Sequence, residues 1–193
     1  MLDDIERATT AVSTGGLVVY PTETVYGLGA DALDTEAIDR VYRAKQRPPS
    51  KPLSLGVSSV EDIQTYATLS KTEAAFCDRF LPGPVTVLLE RRPIVPDVLV
   101  GGRSRVGIRI PAHDIALQLL RRCGPLTATS ANLSGQPSAT RIQDIDQSIL
   151  SQSVVLDDGE TQGTESTVVN VSTGEISRRG ALANEIEEWV RTR

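Results

Sequence analysis

The sequence predicts an α+β fold with α/β-like character, in which helices pack on a twisted mixed sheet within a single domain, residues 1–193. A length of 193 residues favours one domain, and 39% hydrophobic residues suffice for a core. Strand-like and helix-like segments are interspersed along the chain, so helices should cover the sheet. The alternation is irregular, because residues 167–178 resemble an antiparallel hairpin, and a purely parallel sheet fits less well.

At the N-terminus, apolar residues at helical spacing predict a helix over 3–13 that ends at the Gly15–Gly16 pair. LVVYP, residues 17–21, is a short buried strand. The segment TETVYGLGAD that follows is expected to be a loop, because two glycines punctuate it. Asp34 is the predicted N-cap of the next helix, which Pro48 bounds.

The central part of the chain contains strands and capped helices. LSLGV, residues 53–57, is the second strand. Two serines, each with an acidic residue three positions later, begin helices near 60–67 and 71–80. LPGP then blocks further helix, and VTVLLE (85–90) and VGIRI (106–110) are strands.

In the C-terminal part, apolar periodicity and turn residues again predict helices and strands. STG forms a hairpin turn between the last two strands. The remaining predicted elements are a helix at 114–122, a strand at 125–129, a helix near 143–150, strands at 153–156, 167–171 and 175–178, and a helix at 183–191.

Composition excludes several classes of function. The formal net charge of -5 argues against broad coating of nucleic acid, so any cationic site must be local. No apolar run is long enough to span a bilayer, and the acidic start MLDDIERATT is unlike a secretory signal, so a cytoplasmic location is expected. Cys77 and Cys123 stand alone and are interpreted as buried reduced thiols. The single histidine, His113, is interpreted as a turn or helix-start residue rather than a catalytic one.

The stretch KQRPPSKPL concentrates cations in this acidic chain. Lys45, Arg47 and Lys51 fall within seven positions, among prolines that stiffen the segment. Such a cluster could hold a polyphosphate, because arginine contacts phosphate oxygens bidentately and lysine supplies a compact charge. The alternative is a solvated helix end, which accounts for Lys45 and Arg47 but poorly for Lys51.

Other polar segments lie at predicted strand ends, where ligands often bind. They are PTETVYGLG, TSANLSG and GTESTVVNV, and the last lies one hairpin from a basic pair. Arg109 alternates within an apolar strand, so it either reaches solvent or lines a cleft, where it could pair with a carboxylate. Neither a Walker A motif nor GxGxxG is present. These features predict a cleft for an anionic, phosphate-bearing ligand and do not specify a reaction.

Six segments in the same order resemble the YrdC/TsaC family of L-threonylcarbamoyladenylate synthases. They are PTETVYGLG, the KxRPxxKPL pattern, LPGPVTVLL, GIRIP, SANLSG, and ESTVV followed by RRGA, and they span roughly residues 10–186. The resemblance implies a YrdC-like fold with a concave cationic cleft. It also leads us to expect the short form of the family, without the extra C-terminal domain of longer members.

The resemblance implies a reaction in which L-threonine, bicarbonate and ATP yield threonylcarbamoyl-AMP and pyrophosphate. Mg²⁺ is expected as a companion of ATP, bound through the phosphates rather than at a protein metal site. The implied downstream partner is a threonylcarbamoyl transferase complex that modifies tRNA next to the anticodon. A rival interpretation is a module that binds structured RNA or tRNA without making an adenylate. A second rival is the carbamoyl-transfer domain of larger maturation proteins.

The resemblance also implies site residues. Lys45 and Arg47 would be catalytic. The implied ATP-binding residues are Lys45, Arg47, Lys51, Ser130, Asn132, Ser138 and Arg178, and the implied threonine-binding residues are Thr24, Arg109 and Ser166.

Three positions depart from the family pattern: Gly56, Arg105 and Arg179 stand where some members carry His, Thr and Pro. The two arginines are either further phosphate ligands or surface residues, and the surface is favoured for Arg179. Glu23 is a candidate base for the threonine amine by its location alone.

Overall fold

The computed structural model describes residues 2–192. The helices are α1 (Leu2–Ser13), α2 (Thr35–Ala44), α3 (Val60–Tyr66), α4 (Lys71–Phe80), α5 (Asp97–Val100), α6 (Asp114–Cys123), α7 (Gln147–Leu150) and α8 (Ala183–Arg191). The strands are β1 (Leu17–Tyr20), β2 (Gly27–Gly29), β3 (Ser54–Gly56), β4 (Ala67–Thr68), β5 (Val85–Arg91), β6 (Arg105–Arg109), β7 (Leu126–Ser130), β8 (Ser153–Val155), β9 (Thr167–Asn170) and β10 (Glu175–Arg178).

The strands form one mixed sheet in the order β10-β9-β5-β6-β3-β7-β2-β1-β8, with β4 paired to β5. Three of its pairs are parallel, namely β1 with β8, β3 with β6, and β5 with β9. The other pairs are antiparallel, including the β9–β10 hairpin. The predicted mixed sheet and its C-terminal hairpin are therefore confirmed.

Several predicted helix starts are confirmed by their caps. The Asp34 carboxylate accepts from the backbone N–H of Glu36 at 2.9 Å, which begins α2. Ser70 and Glu73 form a complete capping box at the start of α4. His113 occupies the N-cap position of α6, as the sequence suggested for a helix start.

Two element predictions are wrong. The segment expected as a loop after β1 contains β2, which pairs with both β1 and β7. Gly27 permits this close pairing, because a Cβ there would lie 2.9 Å from the Tyr20 ring. The helix predicted near 143–150 is divided into a 3₁₀ turn, Ile142–Asp144, and α7, which Asp146 caps. The short α5 and β4 were not predicted.

The core lies on both faces of the sheet. Along β1, Leu17 and Val19 join the larger cluster, whereas Val18 and Tyr20 join a second cluster beneath α1 and α6. Cys77 is buried in the larger cluster, and Cys123 is only partly buried. Among residues 2–192, no helix is both long and apolar enough to cross a bilayer.

Candidate active site

A cavity of about 410 Å³ crosses the face of the sheet that α1 and α6 leave open. Strand β6 forms part of its floor. Val106 and Ile108 are fully buried in the core, and the alternating residues Arg105, Gly107 and Arg109 line the cavity. A Cβ at Gly107 would lie 2.7 Å from Ser54 Oγ. Because this position has no side chain, the middle of the cavity floor stays open between Arg105 and Arg109 at the two ends of the strand.

The charges in the cavity wall are almost all positive. One carboxylate, that of Glu165, lines the cavity among five guanidinium groups. These belong to Arg47, Arg103, Arg105, Arg109 and Arg178. A chain with a net charge of -5 therefore concentrates cations around one concave surface, and a ligand with several negative charges is electrostatically suited to it.

Arg47 reaches the cavity because the chain after α2 folds back on itself. Its Nε donates to the carbonyl of Lys51 at 3.0 Å, and its Nη2 donates to the carbonyl of Pro52 at 2.9 Å. Burial lowers the pKa of Arg47, and the positive charge of Arg178 acts in the same direction. The guanidinium is thus held in the wall before any ligand arrives.

The structure does not bring the three cations of KQRPPSKPL to one surface. The Lys51 side chain is exposed and lies outside the cavity wall. Lys45 is 1% exposed, and its Nζ donates to the carbonyl oxygens of Ser130 and Asn132, the latter at 2.7 Å. Of the three, only Arg47 lines the cavity, and the roles of Lys45 and Lys51 in ATP binding stay predictions.

Lys45 instead holds the segment after β7 in place. Besides the two carbonyls, its Nζ contacts Asn132 Oδ1 at 3.3 Å, and its own carbonyl accepts from the N–H of Ser134 at 2.8 Å. Burial lowers the pKa of the ammonium group to about 7, and the charge of Arg47 adds to this effect. The side chain therefore links the end of α2 to the SANLSG segment beneath the cavity.

Arg109 lies in the cleft rather than in solvent. Its Nη2 donates to Thr24 Oγ1 at 2.6 Å and lies 3.1 Å from Glu23 Oε2. That ion pair is close but lacks hydrogen-bond alignment, because both Glu23 oxygens and Arg109 Nε are buried without a hydrogen-bond partner among residues 2–192. Thr24 is 1% exposed and does not line the cavity. Its hydroxyl oxygen accepts the hydrogen bond of Arg109 inside the protein. Nη1 of this guanidinium, which none of these contacts uses, is left to donate to a carboxylate.

Arg178 and Ser166 form another part of the wall, where Ser166 Oγ lies 3.2 Å from Thr86 Oγ1 of β5. Arg178 donates to the Ser166 carbonyl at 2.9 Å and to Ser166 Oγ at 2.8 Å. Its Nη1 lies 3.4 Å from Glu165 Oε2, and Ser138 Oγ is bonded to the other oxygen of this carboxylate. Burial lowers the pKa of Arg178, Glu165 raises it, and Arg109 lowers it, which places these charges within range of one another.

The residues of SANLSG are divided between the cavity and a neighbouring pocket. Ser130 lines the main cavity, and its hydroxyl is bonded to Asn132 Oδ1. Asn132 and, beyond this segment, Ser138 line the neighbouring pocket instead. Asn132 Nδ2 donates to the carbonyl of Leu133 at 3.1 Å, so this amide is engaged with its own loop.

Half of the predicted site residues therefore meet in one cavity. Those in its wall are Arg47, Arg109, Ser130, Ser166 and Arg178. Those outside it are Thr24, Lys45, Lys51, Asn132 and Ser138.

Sequence reasoning did not single out Arg103 or Glu165, which also line the cavity. The alternation of arginines leading into β6 was the available signal for Arg103. Of the two arginines that depart from the family pattern, Arg105 lines the cavity. Arg179 is exposed and bonded to Glu187 at 3.0 Å, as expected of a surface residue.

Comparison with known proteins gives consistent matches. The profile of the Sua5/YciO/YrdC family, described as "Telomere recombination", matches residues 10–180. Threonylcarbamoyl-AMP synthase of Pyrococcus abyssi is 42% identical over 165 residues, which are 83% of this chain and 48% of that protein. Threonylcarbamoyl-AMP synthase of Vibrio parahaemolyticus is 31% identical over 185 residues, 93% of this chain and 100% of that protein.

A solved structure matches over almost the whole chain. The crystal structure of P. abyssi Sua5 complexed with L-threonine superposes with a TM-score of 0.87 at 39% identity, covering 96% of this chain and 56% of that one. The chain thus spans about half the length of the Pyrococcus proteins it matches and the full length of the Vibrio relative.

Proposed function

The chain belongs to the Sua5/YciO/YrdC family, and from that premise we propose that it is a threonylcarbamoyl-AMP synthase acting as a single domain, residues 1–193. It condenses L-threonine, bicarbonate and ATP to threonylcarbamoyl-AMP and pyrophosphate. The observation that carries this proposal is the set of five guanidinium groups around one cavity of about 410 Å³. That volume lies within the range of small-molecule sites, and the charge suits a triphosphate.

Arg109 is proposed to bind the carboxylate of threonine. Its contacts with Thr24 at 2.6 Å and Glu23 at 3.1 Å, both through Nη2, hold the guanidinium in place, and Nη1 makes no hydrogen bond with any of residues 2–192. A carboxylate can accept two parallel hydrogen bonds from such a fork. Ser166, which also lines the cavity, is proposed to donate a further hydrogen bond to threonine.

The reaction begins when the threonine amine, after losing a proton, attacks the carbon of bicarbonate or carbon dioxide. A C–N bond forms and the nitrogen gives up a second proton. With bicarbonate this proton leaves with the departing hydroxide as water, and with carbon dioxide it passes to solvent. A carbamate oxygen then attacks the α-phosphorus of ATP, and the bond to the β-phosphate oxygen breaks, releasing pyrophosphate. The enzyme's main contribution is to orient the two reactants and offset their charge.

Arg47 and Arg178 are proposed to perform that neutralisation at the ATP phosphates. An anionic carbamate and a phosphate 4 Å apart repel each other by about 4 kcal/mol at an effective dielectric constant near 20. Both guanidinium groups are held by backbone carbonyls, at 2.9–3.0 Å, so they need little reorganisation when the ligand arrives. Ser130, at the end of β7, supplies a hydroxyl to the same site.

Mg²⁺ would shield the triphosphate charge when bound. Among residues 2–192, no cluster of three or more His, Cys, Asp or Glu side chains is placed to hold a metal ion. Phosphate oxygens would hold this cation, and Glu165, whose carboxylate lines the cavity wall 3.4 Å from Arg178, would supply a further oxygen, since Mg²⁺ prefers oxygen donors.

The product is a mixed anhydride of a carbamate and a phosphate, which water can hydrolyse. We propose that a threonylcarbamoyl transferase complex consumes it in the modification of tRNA beside the anticodon.

The test is an omission experiment. The full chain is incubated with Mg²⁺, ATP, L-threonine and bicarbonate, each substrate is omitted in turn, and the adenylate is detected by mass spectrometry. We expect adenylate and pyrophosphate only when all three substrates are present. Absence of adenylate in the complete mixture would reject the proposal. In that case, strongly salt-dependent affinity for duplex RNA would favour the RNA-binding alternative.

A further inference from the structure

Arg103 differs from the other arginines of the cavity wall. The side chain of each of the other four is bonded within the protein. Their acceptors are the carbonyls of Lys51 and Pro52 for Arg47, Leu88 O and Ser172 Oγ for Arg105, Thr24 Oγ1 for Arg109, and Ser166 for Arg178. Arg103 is exposed, and its guanidinium makes no hydrogen bond or ion pair with any of residues 2–192.

The backbone that carries Arg103 is nevertheless well anchored. Two glycines with positive φ, Gly101 at 59° and Gly102 at 74°, turn the chain after α5. Arg91 Nε then donates to the carbonyl of Arg103 at 2.9 Å, and the N–H of Arg91 donates to the carbonyl of Ser104 at 2.9 Å. A fixed backbone with an unpaired guanidinium lets Arg103 reach a ligand without breaking an existing contact.

The position of Arg103 follows from the direction of β6. Arg105 and Arg109 lie on the same face of this strand, four residues apart, which corresponds to about 13 Å. Arg103 precedes Arg105 and therefore lies at the end of the cavity remote from Arg109. Gly107, between the two arginines, leaves the floor open over that distance.

The geometry of nucleophilic displacement at phosphorus indicates which ligand group should occupy the end of the cavity remote from Arg109. In phosphoryl and nucleotidyl transfer, the attacking and leaving oxygens lie roughly in line on opposite sides of the phosphorus. If threonine is anchored at Arg109, its carbamate approaches from that end. The diphosphate then departs toward Arg105 and Arg103.

We propose that Arg103 binds the β- and γ-phosphates of ATP and the pyrophosphate that leaves, so that the cavity has a diphosphate subsite at the start of β6. This inference rests on the proposed function for the direction of the reaction. Arg105, whose Nη1 is fixed by the Leu88 carbonyl at 3.0 Å, forms the rigid wall of this subsite. Arg103 is its unpaired cation, comparable in chemistry to other arginines that stabilise a departing phosphate.

The test uses inorganic pyrophosphate as the probe and calorimetric titration of the full chain. Arg103→Gln should weaken pyrophosphate binding about tenfold, the loss of one charge-assisted contact. The matched control is Arg121→Gln, which removes an equally exposed and unpaired guanidinium on α6, outside the cavity. The control should bind pyrophosphate like the parent protein, and in the omission assay Arg103→Gln should leave the KM for threonine unchanged.

The outcomes separate this inference from the proposed function. Loss of pyrophosphate binding in Arg103→Gln but not in Arg121→Gln supports the subsite, even if the parent protein makes no adenylate. Equal affinity of Arg103→Gln and the parent for pyrophosphate overturns the subsite, even if adenylate is made. The subsite is also overturned if Arg103→Gln binds duplex RNA more weakly than the parent but binds pyrophosphate equally well. Arg103 would then belong to a nucleic-acid-binding surface.

Discussion

Replacing Lys45 by methionine tests whether burial of this ammonium group, beneath the SANLSG segment, costs stability as its lowered pKa implies. In the folded protein, burial lowers the pKa of this ammonium group from 10.5 to about 7. Below pH 7 the group is protonated in both states, so folding bears the full cost of burying the charge. Between pH 7 and 10.5 the unfolded chain binds the proton more strongly than the folded one, so the free energy of unfolding rises with pH. Methionine fills similar space and does not titrate.

The expected magnitude follows from the two pKa values. A full difference of one proton changes stability by about 1.4 kcal/mol per pH unit. Between pH 7 and pH 9, where the folded group completes its titration, the unfolding free energy of the parent should rise by about 2 kcal/mol relative to Lys45→Met. Urea unfolding at both pH values measures this difference, and subtracting the variant removes the contribution of other titrating groups.

Lys71→Met is the matched control, because Lys71 is an exposed lysine at the start of α4. Its effect on stability should stay within about 0.5 kcal/mol at both pH values. A difference between the parent and Lys45→Met that does not change with pH would refute the reasoning. It would mean that the carbonyls of Ser130 and Asn132 keep Lys45 protonated in the folded protein.

Three further predictions concern catalysis and the core. Arg47→Ala should lower threonine- and bicarbonate-dependent pyrophosphate release about 100-fold, because it removes a prepositioned charge; near-normal release would remove Arg47 from the site. Arg109→Ala should weaken threonine binding by calorimetry at least about tenfold, and unchanged affinity would reject its pairing with the carboxylate. Arg121→Ala is the control for both. Phe76→Ala should cost about 3–5 kcal/mol in urea unfolding, because this ring is fully buried. Ile94→Ala, at a side chain 50% exposed, should cost under about 1 kcal/mol, and equal losses would contradict the assignment of the core.

The mixed sheet could be predicted because local signals agree with the tertiary structure. Asp34 and Ser70 both accept the backbone N–H bonds expected of N-caps, and the runs of branched aliphatic residues form strands. Strand β2 was missed because its three residues, GLG, carry the signature of a turn. Its pairing depends on β1 and on β7, about 100 residues later, and no local signal encodes that partner.

The cavity was predicted less completely than the fold. Arg109 stood out because a charged residue interrupts an apolar strand, and it lies in the cavity. Lys45 and Arg47, two positions apart, looked equivalent in sequence, yet one is 1% exposed beneath the SANLSG segment and the other lines the cavity. Side chains two positions apart at a helix end point in different directions, and only the contact of the SANLSG segment with the end of α2 decided which of them was buried.

The sequence by itself determined the sheet with its caps and hairpin, and an arginine content large enough for a local cationic site in an acidic chain. Those properties follow from periodicity and composition, which act over a few residues. The tertiary structure alone decided that Arg103, Arg105 and Glu165 join Arg47, Arg109 and Arg178 around one space. Contacts between strands distant in sequence bring these charges together, and the long-range pairing of β5, β6, β9 and β10 fixes their spacing.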